Sequence, residues 1–201
     1  MRRALLISLS LVLALVGWTT VCAEDGFYVV AGMRGKYAPV PKTGQTTPYA
    51  AGDDGTLQKG VASPTPRFTD NGNGTVTDKL TGLIWMKNAN AFGPKTWADA
   101  LTAANGLASG SGGLTDGSKA GDWRLPNVKE LQSLVDYGRF SPALPAGAPF
   151  TGVQSSDYWS STTGAASATY AWLVGFGDGF VGNDGDKSYS FPYVWCVRGG
   201  P

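Results

Sequence analysis

The spacing of apolar residues predicts a helix near the middle of the chain. Between Thr96 and Leu107, apolar side chains recur every three or four positions along one side. Thr96 stands where an N-cap is expected, Asp99 follows at the capping-box position, and Asn105-Gly106 ends the pattern. We therefore expect a first helix that packs one face against a core.

A second helix is predicted within the stretch from Gly121 to Phe140. Asn127 can cap its first turn, and Glu130 follows three residues later, as a capping box requires. Gly138 is the expected end of this helix. The apolar residues at helical spacing are Val128, Leu131, Leu134 and Val135.

Short alternating segments separated by turn residues predict strands on both sides of these helices. Residues Arg67–Lys87 alternate around the turn Asp70–Gly74 and predict a β-hairpin or meander. The last third predicts an antiparallel sheet with a turn at Gly177-Asp178-Gly179 and an acidic loop at Asn183–Lys187. Its expected strands are Tyr158–Ser161, Tyr170–Phe176, Phe180–Val181 and Tyr193–Arg198. Together these elements predict an α+β fold.

The N-terminal part of the chain divides into two further segments. Two arginines, an apolar run and a small-residue site ending at Ala23 predict a signal peptide over residues 1–23. Residues 24–66 are rich in Gly, Pro and Thr and predict an extended segment ahead of a domain at 67–201. We therefore expect a secreted, periplasmic or cell-surface protein with no transmembrane helix after cleavage.

Charge and composition exclude several functions. Removal of residues 1–23 leaves 14 basic and 15 acidic residues, a net charge of −1, which argues against nucleic-acid binding. The sequence contains no histidine, and Cys196 is the only cysteine after residue 23. Histidine-based triads, zinc clusters and an internal disulfide are therefore excluded, and no cofactor is expected.

The aromatic residues of the last third form the best candidate ligand surface. Aromatic rings can stack on sugar rings or partner side chains, and nearby amide and carboxylate groups can form hydrogen bonds. The alternative for Trp159, Trp172 and Trp195 is burial in the core. The predicted ligand-binding residues are Tyr170, Trp172, Asn183, Asp184, Asp186 and Tyr189.

Calcium is a second candidate for the same region. Asp178, Asp184 and Asp186 supply hard oxygen ligands, with Asn183 beside them, although their spacing matches no recognised calcium loop. The alternative is a pair of solvated turns.

Four residues are interpreted as structural. Trp123 and Cys196 are expected to be buried. Arg124 is expected to bond carbonyl groups or to pair with Asp122 or Asp136, while Glu130 caps the second helix. The alternatives are an Arg124–Glu130 catalytic pair and a reactive Cys196 thiol.

The ordered segments FTDNGNGTVTDKLTGLIWMKNA, TWADALTAANGLASG, GDWRLPNVKELQSLVDYGRF, QSSDYWSSTT, AWLVGFGDGFVGNDGDKSYS and VWCVRGG resemble the Lcl C-terminal domain family, named for a bacterial collagen-like adhesin. The resemblance implies a C-type-lectin-like fold with two helices on a mostly antiparallel sheet, long loops and terminal strands side by side. It also implies secreted or surface proteins that bind or adhere. Relatives often carry cysteines near the positions of Ala91 and Gly112, which this chain lacks.

These observations favour a noncatalytic binding or adhesion module that recognises a glycan or a protein at a cell surface. A second hypothesis is a structural, self-assembling extracellular subunit, in which segment 24–66 packs against another copy. The third is an enzyme related to formylglycine-generating oxidases, which share the lectin-like fold. That chemistry requires a cysteine pair, and the mature chain has only Cys196.

Overall fold

The computed structural model of the protein describes residues 40–199. The predicted signal peptide and the beginning of the predicted extended segment lie outside the described residues. Within this range, no helix is long and apolar enough to cross a bilayer. The elements are α1 (Asp54–Leu57), β1 (Phe68–Asp70), β2 (Thr75–Asp78), β3 (Ile84–Met86), α2 (Trp97–Asn105), α3 (Val128–Gln132), β4 (Asp157–Thr163), β5 (Tyr170–Gly175), β6 (Val181–Asp186) and β7 (Val197–Arg198).

The first sheet confirms the predicted meander and adds the last strand of the chain to it. Its order is β1-β2-β3-β7, with every neighbouring pair antiparallel. The predicted last strand, Tyr193–Arg198, divides between the two sheets. Tyr193 forms a parallel bridge with Tyr158 of β4, as expected, whereas Val197 pairs with Trp85 of β3. The terminal strands are also not side by side. The Arg124 backbone exchanges two 3.0 Å hydrogen bonds with Val197, while β1 lies at the far edge beyond β2.

The second sheet has the order β4-β5-β6 and is also antiparallel. The segment predicted as an acidic loop, Asn183–Lys187, is mostly strand β6. It pairs with β5 through Tyr170–Asp186 and Ala171–Gly185. A Cβ at Gly185 would lie 2.6 Å from the Trp159 ring. The glycine backbone of β6 therefore packs directly on the Trp159 ring. Because no apolar side chain fits there, the sequence of β6 lacks the usual alternation of apolar and polar residues.

Two irregularities in this sheet meet at Trp172. In β4, three residues lie opposite Trp172 between the Trp159–Leu173 and Thr163–Ala171 pairs. In β6, Asn183 and Asp184 lie opposite it between the Leu173–Gly182 and Ala171–Gly185 pairs. Such bulges increase local twist and redirect side chains. The Ser160 hydroxyl donates a 2.8 Å hydrogen bond to the Trp172 carbonyl and fixes the distorted backbone.

Helix α2 has the predicted position and cap. The Thr96 side chain accepts a hydrogen bond from the Asp99 amide, and Ala100 and Ala104 are buried. The chain therefore begins this helix with the local signal expected from its sequence.

Helix α3 begins at the predicted capping box but ends at Gln132, so the expectation that it continues to Gly138 is wrong. The Ser133 hydroxyl donates a 2.6 Å hydrogen bond to the Glu130 carbonyl. The amides of Leu134 and Val135 then bond to carbonyls three residues earlier. This tighter winding still buries Leu134 and Val135.

The core is organised around Trp195, which is fully buried. Its ring centroid lies 5.8 Å from that of Trp85, 4.9 Å from Phe150, 5.6 Å from Tyr158 and 5.4 Å from Phe176. Its indole N–H donates a 2.8 Å hydrogen bond to the Met86 carbonyl. These contacts join β3 of the first sheet to β4 of the second and satisfy the polar end of a buried ring.

Residues 40–66, which we call the strap, form an irregular segment that contains the short helix α1 and lies on the domain. The Asp53 carboxylate accepts hydrogen bonds from the amides of Tyr49, Ala50 and Thr56. These bonds, with the Tyr49 amide contributing most, lower the pKa of Asp53 to about 2. A short parallel bridge between Pro41 and Val61 brings the two ends of the strap together.

The strap docks on the domain through two glycines. The Tyr137 amide donates a 2.8 Å hydrogen bond to the Thr43 carbonyl. A Cβ at Gly44 would lie 2.0 Å from the Asp136 carboxylate, and one at Gly138 would lie 2.4 Å from the Gly44 carbonyl oxygen. The two backbones therefore approach more closely than any side chain would permit.

Substitution of Gly138 by Ala is expected to release the strap. Overpacking of this kind costs about 1–3 kcal/mol, so protease cleavage within residues 41–66 should increase while the rest of the domain stays folded. The control is Gly177→Ala, because a Cβ there meets only one atom, at 3.7 Å. Equal protease resistance of the two variants would contradict the docking.

The loops that carry Ala91 and Gly112 lie at disulfide distance, as the resemblance implies. An ideal Cβ at Gly112 lies 3.7 Å from the Ala91 Cβ, within the range of disulfide-bonded cysteines. Gly112 has a φ of +59°, and its Cβ would also displace the end of the Met86 side chain.

The double variant Ala91→Cys/Gly112→Cys should therefore oxidise to a disulfide. Closing a loop of roughly 20 residues should make the oxidised form about 3 kcal/mol more stable than the reduced form. Both redox forms carry the same substitutions. The free energy lost by placing a side chain at position 112 and by displacing Met86 is therefore the same in both, and it cancels when the two forms are compared. Denaturant unfolding measures the difference, and failure to form the bond would contradict the placement of these loops.

Candidate functional site

The predicted ligand-binding residues lie together on the second sheet. All six belong to β5, to β6 or to the loop after β6, and none is fully buried. We call this region the β5–β6 surface. Tyr170 of β5 and Asp186 of β6 lie opposite each other in the sheet. The side chain of Tyr170 is 39% exposed and that of Tyr189 is 44% exposed. Two tyrosines therefore present ring area to solvent near polar strand residues.

The three tryptophans considered for the core divide between two environments. Trp159 and Trp195 are fully buried, whereas Trp172 is half-buried. Trp172 lies opposite Asn183 and Asp184 at the double bulge. The partial exposure of Trp172 follows from the two bulges. The alternation of apolar and polar residues in the sequence does not show where bulges occur.

The acidic residues of this surface differ in how far they are already engaged. Asp186 accepts hydrogen bonds from the Ser188 amide and hydroxyl, and these bonds lower the pKa of Asp186. Asp178 accepts a 2.9 Å hydrogen bond from the Phe180 amide. Among the described residues, Asn183 and Asp184 have no side-chain hydrogen-bond partner. The side chains of Asn183 and Asp184 are therefore available to a ligand.

The structure gives no support to the predicted calcium site of Asp178, Asp184 and Asp186. Within residues 40–199, no three acidic or cysteine side chains converge in a way that could hold a metal ion. Two of the three carboxylates instead stabilise turns, at Phe180 and Ser188. This arrangement corresponds to the alternative of solvated turns.

Asp157 is a member of this region that sequence reasoning missed. Burial raises the pKa of Asp157, and the negative charges of Asp184 and Asp178 raise it further. A Cβ at Gly175 would lie 2.9 Å from an Asp157 carboxylate oxygen, so glycine is required beside it. The only sequence signal was an acidic residue at the start of an apolar strand, and its acidic neighbours are more than 20 positions away.

Two further aromatic residues enlarge the exposed apolar area. Phe180 and Phe191 are both exposed, and the Phe191 ring lies 5.0 Å from that of Tyr189. The Lys187 ammonium lies 3.9 Å from the centre of the Trp97 ring and donates a hydrogen bond to the Thr163 hydroxyl. The cation thus ties the end of β6 to α2 and β4.

The Arg124 guanidinium bonds a carbonyl group, that of Gly199 at 3.2 Å, as expected, but its carboxylate partner is Glu130 and not Asp122 or Asp136. Two 2.7 Å hydrogen bonds join the guanidinium and the carboxylate. Burial raises the pKa of Glu130, but the bonds from Arg124 and from the Asn127 amide outweigh burial and the pKa is lowered. The carboxylates of Asp122 and Asp136 bond instead to nearby backbone amides, of Lys119 and Gly138. The Arg124–Glu130 pair joins the capping box of α3 to the segment before it, where the Arg124 backbone pairs with Val197.

Trp123 and Cys196 lie in the interior. The Trp123 indole donates a 2.9 Å hydrogen bond to the Ser118 hydroxyl, and Arg198 lies 5.2 Å from the ring centre. Cys196 is fully buried, and burial raises the pKa of its thiol to about 12. A thiol in this environment is a poor nucleophile.

The Asp157→Asn variant should be more stable than the parent at neutral pH. Because the folded-state pKa of Asp157 lies above its unfolded value, ionised Asp157 opposes folding at pH 7 and protonated Asp157 does not. The gain in melting temperature should therefore shrink as the pH falls towards about 4. Asp122→Asn is the control, because it removes a carboxylate that does not belong to the group of Asp157, Asp178 and Asp184. A gain that is independent of pH would show that charge repulsion is not its cause.

The comparison with known protein families agrees with the resemblance in the sequence. No curated protein gives a significant sequence match to this chain. The family model of the Lcl C-terminal domain matches residues 74–198, which is more than half of the chain and includes β2 to β7 together with both longer helices. The chain therefore belongs to the Lcl C-terminal domain family.

Proposed function

We propose that the protein is a secreted, noncatalytic binding module that recognises a glycan or a protein at a cell surface. The observation that carries the proposal is the juxtaposition on the β5–β6 surface of exposed aromatic rings with unengaged polar groups. Tyr170 and Tyr189 supply the rings, and Asn183 and Asp184 supply an amide and a carboxylate. Rigid aromatic anchors beside hydrogen-bonding groups are typical of recognition surfaces.

The backbone beneath this surface supports the proposal because it is firmly held. The Ser160 hydroxyl bonds to the Trp172 carbonyl, and Gly185 packs directly on the Trp159 ring. Lys187 ties the end of β6 to Thr163 and Trp97. A ligand therefore meets a backbone that is already fixed, which reduces the entropy lost on binding.

The noncatalytic part of the proposal rests on the chemistry of the available groups. The chain has no histidine, and its cysteine after residue 23 is buried with a raised pKa. Arg124 and Glu130 satisfy each other in a two-pronged ion pair and do not form a free acid–base pair. These properties favour binding over catalysis.

The C-type-lectin-like fold and the secreted location are also parts of the proposal. Family membership and the α+β arrangement with antiparallel sheets support the fold. The leader pattern of residues 1–23 supports secretion.

The triple variant Tyr170→Ala/Asp184→Ala/Tyr189→Ala should lose binding without loss of stability. A glycan and protein array screened with the parent protein would identify a ligand for titration. Truncation of aromatic anchors costs about 2 kcal/mol each, so affinity should fall by more than about 100-fold. The melting temperature should stay nearly constant because all three side chains are exposed.

Leu57→Ala is the matched control, since Leu57 is an exposed apolar residue of the strap. Unchanged affinity of the triple variant, with the fold intact, would remove the β5–β6 surface from the proposal. Unfolding of the triple variant would mean that these residues belong to the core.

A further inference from the structure

A cleft lies between the strap and the loop that follows α3. Its volume is about 360 Å³, and it shares no residue with the β5–β6 surface. We call it the strap cleft. Its lining residues are Gln45, Thr46, Thr47, Tyr49, Tyr137, Gly138, Arg139 and Phe140.

Three aromatic side chains line the strap cleft and are strongly exposed. The exposed fractions are 83% for Tyr49, 81% for Phe140 and 42% for Tyr137. Arg139 and Phe140 also line a second cleft of about 390 Å³ on the side of Pro142 and Phe150. Phe140 therefore forms a ridge between two depressions. Grouped aromatic exposure of this kind marks an interaction site more often than an unused surface.

The backbone on both sides of the cleft is held so that these rings stay presented. The Arg139 amide bonds to the Asp136 carbonyl, and the Ser141 amide bonds to the Gly177 carbonyl at 2.7 Å. Ser141 has a φ of +49°, a left-handed conformation that costs about 1–2 kcal/mol in a residue other than glycine. On the opposite side, the Tyr49 amide donates a 2.7 Å hydrogen bond to the Asp53 carboxylate. The backbone that carries Tyr49 and Phe140 is thus held in place.

The polar groups of the cleft can donate hydrogen bonds to a ligand. The Tyr137 hydroxyl accepts a hydrogen bond from Gln132, which leaves its own hydrogen free to donate. Among the described residues, Arg139 has no ion-pair partner. Thr46 and Thr47 contribute hydroxyl groups.

Two carboxylates beside the cleft offset the charge of its cationic lining residue, Arg139. The Asp136 carboxylate accepts a hydrogen bond from the Gly138 amide, and the Asp53 carboxylate accepts one from the Tyr49 amide. The cleft therefore has no net positive field to attract a polyanion. A ligand for this site should combine an apolar face with uncharged hydroxyl groups.

We propose that the strap cleft binds one neutral pyranose residue of a glycan. The C–H face of a pyranose ring is apolar and would stack on Phe140 or Tyr49, while its hydroxyl oxygens would accept hydrogen bonds from Arg139 and the Tyr137 hydroxyl. This site is separate from the β5–β6 surface, so each of the two sites can be tested without the other.

The test uses the purified protein and four neutral trisaccharides, namely cellotriose, mannotriose, β-1,4-galactotriose and triacetylchitotriose. Saturation-transfer NMR should detect transfer from aromatic protons to sugar ring protons for at least one of them. Tyr49→Ala and Phe140→Ala should each weaken binding about three- to tenfold, and the double variant should abolish it. Phe140→Tyr, which keeps a ring, should retain binding. Melting temperatures should not change, because both side chains are almost fully exposed.

Leu57→Ala, at an exposed apolar residue of the strap that does not line the cleft, is the matched control and should leave trisaccharide binding unchanged. The proposal is overturned if none of the four trisaccharides binds the parent protein, or if Tyr170→Ala/Tyr189→Ala abolishes binding while Phe140→Ala keeps it. Binding that requires carboxylated or sulfated sugars and disappears at high salt would overturn the neutral-pyranose assignment. Each of these failures leaves the proposal for the β5–β6 surface standing, since that proposal is tested by its own triple variant.

Discussion

The aromatic cluster around Trp195 is the interaction on which the rest of the structure depends. Both sheets are small, with four and three strands, and neither could bury a core alone. Trp195 contacts Trp85 on one sheet and Tyr158 on the other, and Phe176 and Phe150 close the cluster. The helices and loops then complete a continuous core around these rings. A chain of this composition, rich in glycine and without a disulfide among residues 24–201, obtains its buried area from large side chains.

Close backbone packing fixes two surface segments, β6 and the strap, on the rest of the domain. Gly185 lies against Trp159, and Gly138 lies against Gly44, so a strand of the β5–β6 surface and the strap are each held without side chains of their own at the contact. Both candidate binding regions therefore share one design. Exposed aromatic rings are carried by backbone that is fixed through glycine contacts and through hydrogen bonds from Ser160 or Asp53. Preorganisation of this kind favours recognition because little ordering remains to be done when a ligand binds.

Features that depend on neighbours in the sequence were predicted well. The Thr96 and Asn127 caps begin α2 and α3, and the β1–β2 hairpin closes over the Asp70–Gly74 turn. Two predictions failed within a short stretch of chain: α3 ends early at the Ser133–Glu130 hydrogen bond, and Arg124 pairs with Glu130 and not with Asp122 or Asp136. Others failed because distant segments decide the outcome, as where β6 forms from a polar segment that pairs with β5. The role of Asp157 depends on Asp178 and Asp184, which reach it only through sheet pairing.

The sequence by itself determined the family, the α+β class, the two capped helix starts and the region in which exposed aromatic residues are concentrated. These follow from short-range patterns of apolar spacing, capping and turn chemistry, which act within a few residues. Only the tertiary structure decided that β7 joins the first sheet, that Trp172 lies at a double bulge and that the strap creates a cleft beside Phe140. Each of these depends on contacts between segments far apart in the chain. Their energies come from packing and register, which local sequence does not encode.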